Sequence, residues 1–213
     1  MEITWFGHSC FLLRSGDFRL LTDPYDMSLG YPPVRIKQTL KIVTVSHGHK
    51  GHNYAQDFKD NPRIILSPGE YETGGIFIYG TRLYHDNEKG AKLGKNLAFL
   101  FEMDDLKICH MGDLGHLITA QQEQELGNVD VLILPVGGIA TINAEMAAKI
   151  VRLLEPKIVI PMHYKTEVTP WLEPVDTFLA EMGAKEAVPQ PSLTITKSRL
   201  PQETQVVLLE RRT

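Results

Sequence analysis

Short apolar-rich runs separated by turn residues fill the first half of the chain, the pattern of half-buried and buried strands. Residues 3–6, 10–14 and 18–22 read as strands, with Ser15-Gly16-Asp17 as a hairpin turn. Residues 42–45 and 63–66 follow, the latter behind the breaker Asn61-Pro62. Runs 76–79 and 81–84 flank Gly80, and 97–102 can pair with 106–109 across Met103-Asp104-Asp105. The second half changes character. Residues 120–126 and 143–154 have helical composition, and Thr141-Ile142-Asn143-Ala144-Glu145 can start the second helix with a side-chain cap. Residues 129–134 and 157–160 read as buried strands, 174–182 as a further helix, and 193–196 with 205–209 as closing strands. Strands first, then strand–helix alternation with no intervening linker, imply one mixed α/β domain over residues 1–213, with helices covering a sheet layer.

Composition narrows the class without naming a chemistry. The 213 residues are 43% hydrophobic and 23% charged, which excludes wholesale disorder. A formal net charge of −4 offers no general attraction to nucleic acid or anionic lipid, and neither partner is expected. The two cysteines cannot build a disulfide framework, and both lie in apolar surroundings. Residues 1–8 show no basic-then-apolar leader pattern and no run reaches transmembrane length, so a cytoplasmic protein is expected. Oligomerisation is left open.

The chemistry sits at strand ends. In Val45-Ser46-His47-Gly48-His49-Lys50-Gly51-His52 three histidines crowd just past a strand. Residues two apart share a side of an extended backbone, so His47 and His49 can aim at one ion. His52, pointing from the first turn of an expected following helix, can reach a neighbouring ion. His85, Asp113 and His163 each follow an apolar run, repeating the delivery of an imidazole or carboxylate at a strand terminus. Neutral imidazole is a preferred zinc ligand, and a strand-end loop is both rigid and accessible.

These motifs together resemble the metallo-β-lactamase fold superfamily, in particular compact bacterial hydrolases of the ascorbate-phosphate lactonase type. The resemblance runs from Thr4-Trp5-Phe6-Gly7-His8-Ser9 and Leu21-Thr22-Asp23-Pro24 through the histidine cluster and His85-Asp86. It continues in His110-Met111-Gly112-Asp113, Pro135-Val136-Gly137-Gly138 and Pro161-Met162-His163-Tyr164. It implies an α/β, four-layer αβ/βα sandwich with a metal site at one edge of two facing sheets. It also implies His47, His49 and His85 on a first metal, His52 and His163 on a second, and Asp113 bridging both. The implied activity is hydrolysis by metal-activated water, with Asp113 and His49 as catalytic residues. The cofactor would be Zn²⁺, one or two ions, with Mn²⁺ or Fe as alternatives. One position departs: the family cluster reads H-x-H-x-D-H, and Gly51 stands where the aspartate belongs. The second site then loses an anionic ligand, and a non-hydrolytic metal-binding protein becomes the alternative function.

Supporting residues have two readings each. Asp23 is either an acceptor behind a ligand imidazole or a turn residue before Pro24. His8 either hydrogen-bonds in the site or belongs to the core, and His116 is a candidate replacement for the missing carboxylate. Lys50 and Lys165, with the Lys89, Lys92 and Lys95 loop, either attract a small anionic substrate or are simply solvated. Gly137 and Gly138 either present N–H groups to a ligand or make a turn.

Overall fold

A computed structural model describes residues 1–56, 58 and 60–212. Thirteen strands and three α-helices follow in chain order: β1 (Glu2–Gly7), β2 (Cys10–Ser15), β3 (Phe18–Thr22), β4 (Ile42–Thr44), β5 (Arg63–Ile65), β6 (Gly69–Thr73), β7 (Ile76–Tyr84), β8 (Lys95–Met103), β9 (Leu106–His110), α1 (Ala120–Leu126), β10 (Val131–Pro135), α2 (Ala144–Leu154), β11 (Ile158–Met162), α3 (Val175–Glu181), β12 (Leu193–Thr194) and β13 (Gln205–Val206). They form two sheets, ordered β12-β1-β2-β3-β4-β5 and β13-β11-β10-β9-β8-β7-β6.

Period-two alternation sorts the side chains into layers. Phe99 and Phe101 of β8 point between the sheets, where they join Ile3, Phe11, Leu13, Leu20, Ile108 and Ile133. Leu100, between them in sequence, faces the opposite way with Cys109 and Leu132, under Leu126 of α1, Ile150 and Val151 of α2 and Phe178 of α3. Each fully buried side chain of this size contributes about 1.5–3 kcal/mol, so a one-residue register slip in β8 would be costly. On the outer face of the first sheet, Phe6, Cys10, Leu12, Leu21 and Val43 are covered by Tyr25, Tyr31, Leu40 and Ala55. The expected α/β sandwich is present. Its outer layer over the first sheet consists of irregular chain and the single 3₁₀ turn Met27–Leu29, where no α-helix lies among the described residues.

Four expectations change in detail. No helix begins at His52 among the described residues, where 50–52 form a turn. The two runs flanking Gly80 are one strand, because Gly80 stays in register with Gly69 on one side and Phe99 on the other. β6 escapes the hydrophobic pattern: Gly-Glu-Tyr-Glu-Thr is a polar edge strand with no fully buried residue. The closing strands are shorter than their apolar runs, and beyond β13 the chain returns to the first sheet, where Arg211 bridges Trp5. The α2 cap is as expected, with Asn143 Oδ1 accepting the Met146 N–H at 3.0 Å.

Candidate metal centre

Strand ends converge along one edge. β3 delivers Asp23, the loop after β4 delivers His47, His49 and His52, β7 is followed by His85, the loop after β9 carries Asp113, and β11 is followed by His163. The two-residue turn between β1 and β2 adds His8. Asp23, His8 and His163 all have positive φ, at 39°, 52° and 51°. Such backbone is uncommon for non-glycine residues, and it clusters where surrounding structure holds a functional side chain in place.

The tautomers follow from one buried carboxylate. Asp23 is fully buried and accepts the Ser46 N–H (2.8 Å), the Ser46 hydroxyl (2.5 Å) and the His52 Nδ1–H (2.9 Å). Having donated to Asp23, the Ser46 hydroxyl is left to accept from His47 Nδ1–H at 2.9 Å. His47 and His52 therefore both turn an Nε2 lone pair inward. What they meet is Asp113 Oδ2: His52 Nε2 lies 3.0 Å from it, His163 Nε2 3.3 Å, His85 Nε2 3.4 Å and His47 Nε2 3.8 Å. His47 Nε2 also stands 3.1 Å from His49 Nδ1.

Imidazole lone pairs facing a carboxylate repel one another unless a proton or a cation lies between them. The charge balance of the site says the same. Burial would raise the Asp113 pKa, but His163 and His52 outweigh it and hold the carboxyl well below its usual range. Burial likewise lowers His52, and the Asp113 and Asp23 carboxylates overcome it, lifting His52 to about 10. Burial with the neighbouring His52 lowers His47 to about 3, and burial with His163 and His52 pushes His8 well down. Around the Asp113 anion His47 and His8 are thus held neutral, while His52 carries a proton whose place a divalent cation would take. Ligand atoms of His47, His49 and His85 lie within 4.8 Å of one another, and so do those of His8, His52 and His163.

Asp113 is fixed by residues that carry no metal-binding signature. Buried Asn96 accepts the Asp113 N–H through Oδ1 (2.9 Å) and donates through Nδ2 to the Met111 carbonyl (2.8 Å). Ser9 Oγ donates to Asp113 Oδ1 at 3.4 Å. Gly112, at φ 54°, is required by space: a Cβ there would stand 2.3 Å from Asn96 Oδ1 and 2.6 Å from Ser46 Cβ. His110 lies outside the cluster, with Nε2 on the Ser9 carbonyl at 2.9 Å.

Several expected residues lie elsewhere. His116 does not replace the missing carboxylate: the loop after Asp113 folds it back on β7, where Nε2 accepts the Tyr84 N–H (3.2 Å) and Nδ1 contacts the Leu117 carbonyl (2.8 Å). It braces the residue before His85. The Gly138 N–H is occupied by the Ile142 carbonyl in a turn, not presented to a ligand. The 86–94 loop is organised by Asp86, whose carboxylate accepts the N–H groups of Glu88, Gly90, Lys92 and Leu93 at 2.7–2.9 Å. Those bonds hold Asp86 well below the carboxylate range, and Lys92 is paired with Glu88 at 2.5 Å. Lys50 and Lys165 are exposed and form no salt bridge among the described residues.

Fold and cluster together define a class that comparison with known proteins confirms. Residues 2–163 match the family model described as Beta-lactamase superfamily domain, and the chain belongs to that family. It is 32% identical over 195 residues to a UPF0173 metal-dependent hydrolase of Archaeoglobus fulgidus, covering 78% of this chain and 84% of that one. A UPF0173 metal-dependent hydrolase of Pyrobaculum islandicum is 30% identical over 198 residues, with 78% and 85% covered. The protein is thus a member of the UPF0173 group of the superfamily, a family of metal-dependent hydrolases. A crystal structure from Thermotoga maritima, described as a candidate Zn-dependent hydrolase of the metallo-beta-lactamase superfamily, superposes with a TM-score of 0.80. It is 37% identical, and 98% of each chain is covered.

Proposed function

We propose that the protein is a two-metal hydrolase of a small, anionic ester, lactone or phosphoester, with zinc as its preferred ion. His47, His49 and His85 would hold one ion, His52 and His163 would hold a second, and Asp113 would bridge them. The observation carrying this reading is the ring of four Nε2 atoms, 3.0–3.8 Å from Asp113 Oδ2, two of them aimed inward by the Asp23–Ser46 network. Bound divalent ions supply Lewis acidity, lowering the pKa of water to about 7 and polarising the bond to be cleaved.

The chain's own groups do the rest. The Asp113 carboxylate, held ionised and aimed by Asn96 and Ser9, orients the attacking water, takes its proton and passes that proton to the leaving group. His49, exposed beside the cluster, stands where substrate enters. Lys50 and Lys165, next to His49 and two residues past His163, are exposed and positioned to attract an anion. Two buried free thiols suit a reducing cytoplasm. Zinc draws support from the imidazole-rich donor set and from the assignment given to the Thermotoga maritima relative.

The test is turnover of the zinc-loaded protein on a panel of esters, lactones and phosphodiesters. Hydrolysis lost on chelation and in Asp113→Asn is expected. A chelated protein as active as the loaded one would refute the reading, and a metal-loaded protein inert on every substrate would favour a non-hydrolytic metal-binding role.

A further inference from the structure

We infer that His8 is a ligand of the inner ion, occupying in space the place that a side chain at position 51 would fill. This rests on the two-ion reading above and adds a residue to it from outside the histidine cluster.

Four observations converge on His8. A Cβ built on Gly51 would lie 2.8 Å from His8 Nε2 and 3.1 Å from its Cδ2, so a side chain at 51 would have to displace the His8 ring from where it stands. The His8 ring sits 4.1 Å from the His163 ring and 4.9 Å from that of His52, centroid to centroid, and the three offer ligand atoms within 4.8 Å. His8 is 8% exposed, and its Nδ1, like that of His163, is buried without a hydrogen-bond partner among the described residues. Finally, its backbone is held in place. The residue sits at φ 52° in the β1–β2 turn, and its carbonyl accepts the Trp5 indole N–H (3.0 Å) and the His163 N–H (3.3 Å).

A core histidine would complete its hydrogen bonds; a ring with a buried, unpartnered nitrogen packed beside two other imidazoles is arranged for a cation. The inner site then has three nitrogens and the shared Asp113 carboxylate, the four-ligand count of a zinc site. Exchanging a carboxylate at 51 for an imidazole from 8 removes one negative charge and shifts preference from oxygen-seeking manganese toward zinc.

The experiment counts zinc per chain by elemental analysis and titrates zinc binding for the unaltered protein, His8→Gly and His8→Gly/Gly51→Asp. Glycine at 8 suits the positive φ; if that variant does not fold, His8→Asn, which also tolerates this backbone, replaces it. The unaltered protein should hold two ions. His8→Gly should weaken the second by at least about 100-fold, the upper end for losing an outer partner of a ligand. The double variant should regain the second ion, with manganese competing better than in the unaltered protein. Unchanged binding of two ions in His8→Gly, or no recovery in the double variant, overturns the role of His8 alone. Fewer than two ions in the unaltered protein overturns the two-ion reading along with it.

Discussion

The two imidazole groups on either side of Asp113 differ in origin and exposure. The outer group, His47, His49 and His85, takes two members from one strand end and leaves His49 open to solvent. The inner group, His8, His52 and His163, is buried throughout and gathers residues from the β1–β2 turn, the turn after β4 and the end of β11. An exposed site exchanges with solvent, whereas a site closed by both sheets depends on their packing. The contrast leaves the outer side open to solvent and ties the inner side to the integrity of the fold.

Removing the group that the two sides share should have the largest effect. Asp113→Asn is expected to lower hydrolysis about 1,000-fold and to cost the protein both ions, read by steady-state kinetics and elemental analysis. Retention of two ions would show the sides to be independent. Next comes the support behind Asp113. Asn96→Ala leaves the Asp113 N–H and the Met111 carbonyl unpaired, each costing about 1–3 kcal/mol, and metal affinity should fall about 10–100-fold. Thermal unfolding with and without zinc separates the two contributions. Chelation kinetics sharpen the contrast further: a chelator should remove one ion quickly and the other slowly, and His49→Ala should accelerate only the fast phase.

The smallest effect is on pH dependence in the metal-free protein. His52, lifted to about 10, contributes stability fully present below its unfolded pKa near 6.5 and lost as pH rises toward 10. His47, lowered to about 3, works oppositely, removing stability as pH falls from about 6.5 toward 3. The metal-free melting temperature should therefore peak near neutrality. The zinc-loaded protein should lose less on the alkaline side, because the cation replaces the His52 proton. Parallel curves with and without zinc would place the ions away from His52.

What the sequence disclosed follows the same division. His47 and His49 were legible because three histidines crowd within six residues just past an apolar strand, although they lie in a bend and not on an extended strand, and His85, Asp113 and His163 because each follows an apolar run. His8 was visible as a residue but not as a neighbour of His163, since a hairpin turn's approach to a distant strand end depends on how two sheets pack. Asn96, Ser46 and Ser9 act through hydrogen bonds made across the sheets, and their residue types have no spacing signature. The sequence shows the carboxylate missing at Gly51 but not that the His8 ring lies against that position, which depends on how distant turns pack. Among the strands, β6 was missed because an edge strand with polar faces carries no periodic apolar signal.

Anomalous scattering from crystals of the zinc-loaded protein tests the shared-carboxylate centre most directly. Two zinc peaks are predicted flanking the Asp113 carboxylate, one contacting His47, His49 and His85, the other His52 and His163. A single peak, or zinc bound away from Asp113, would contradict it.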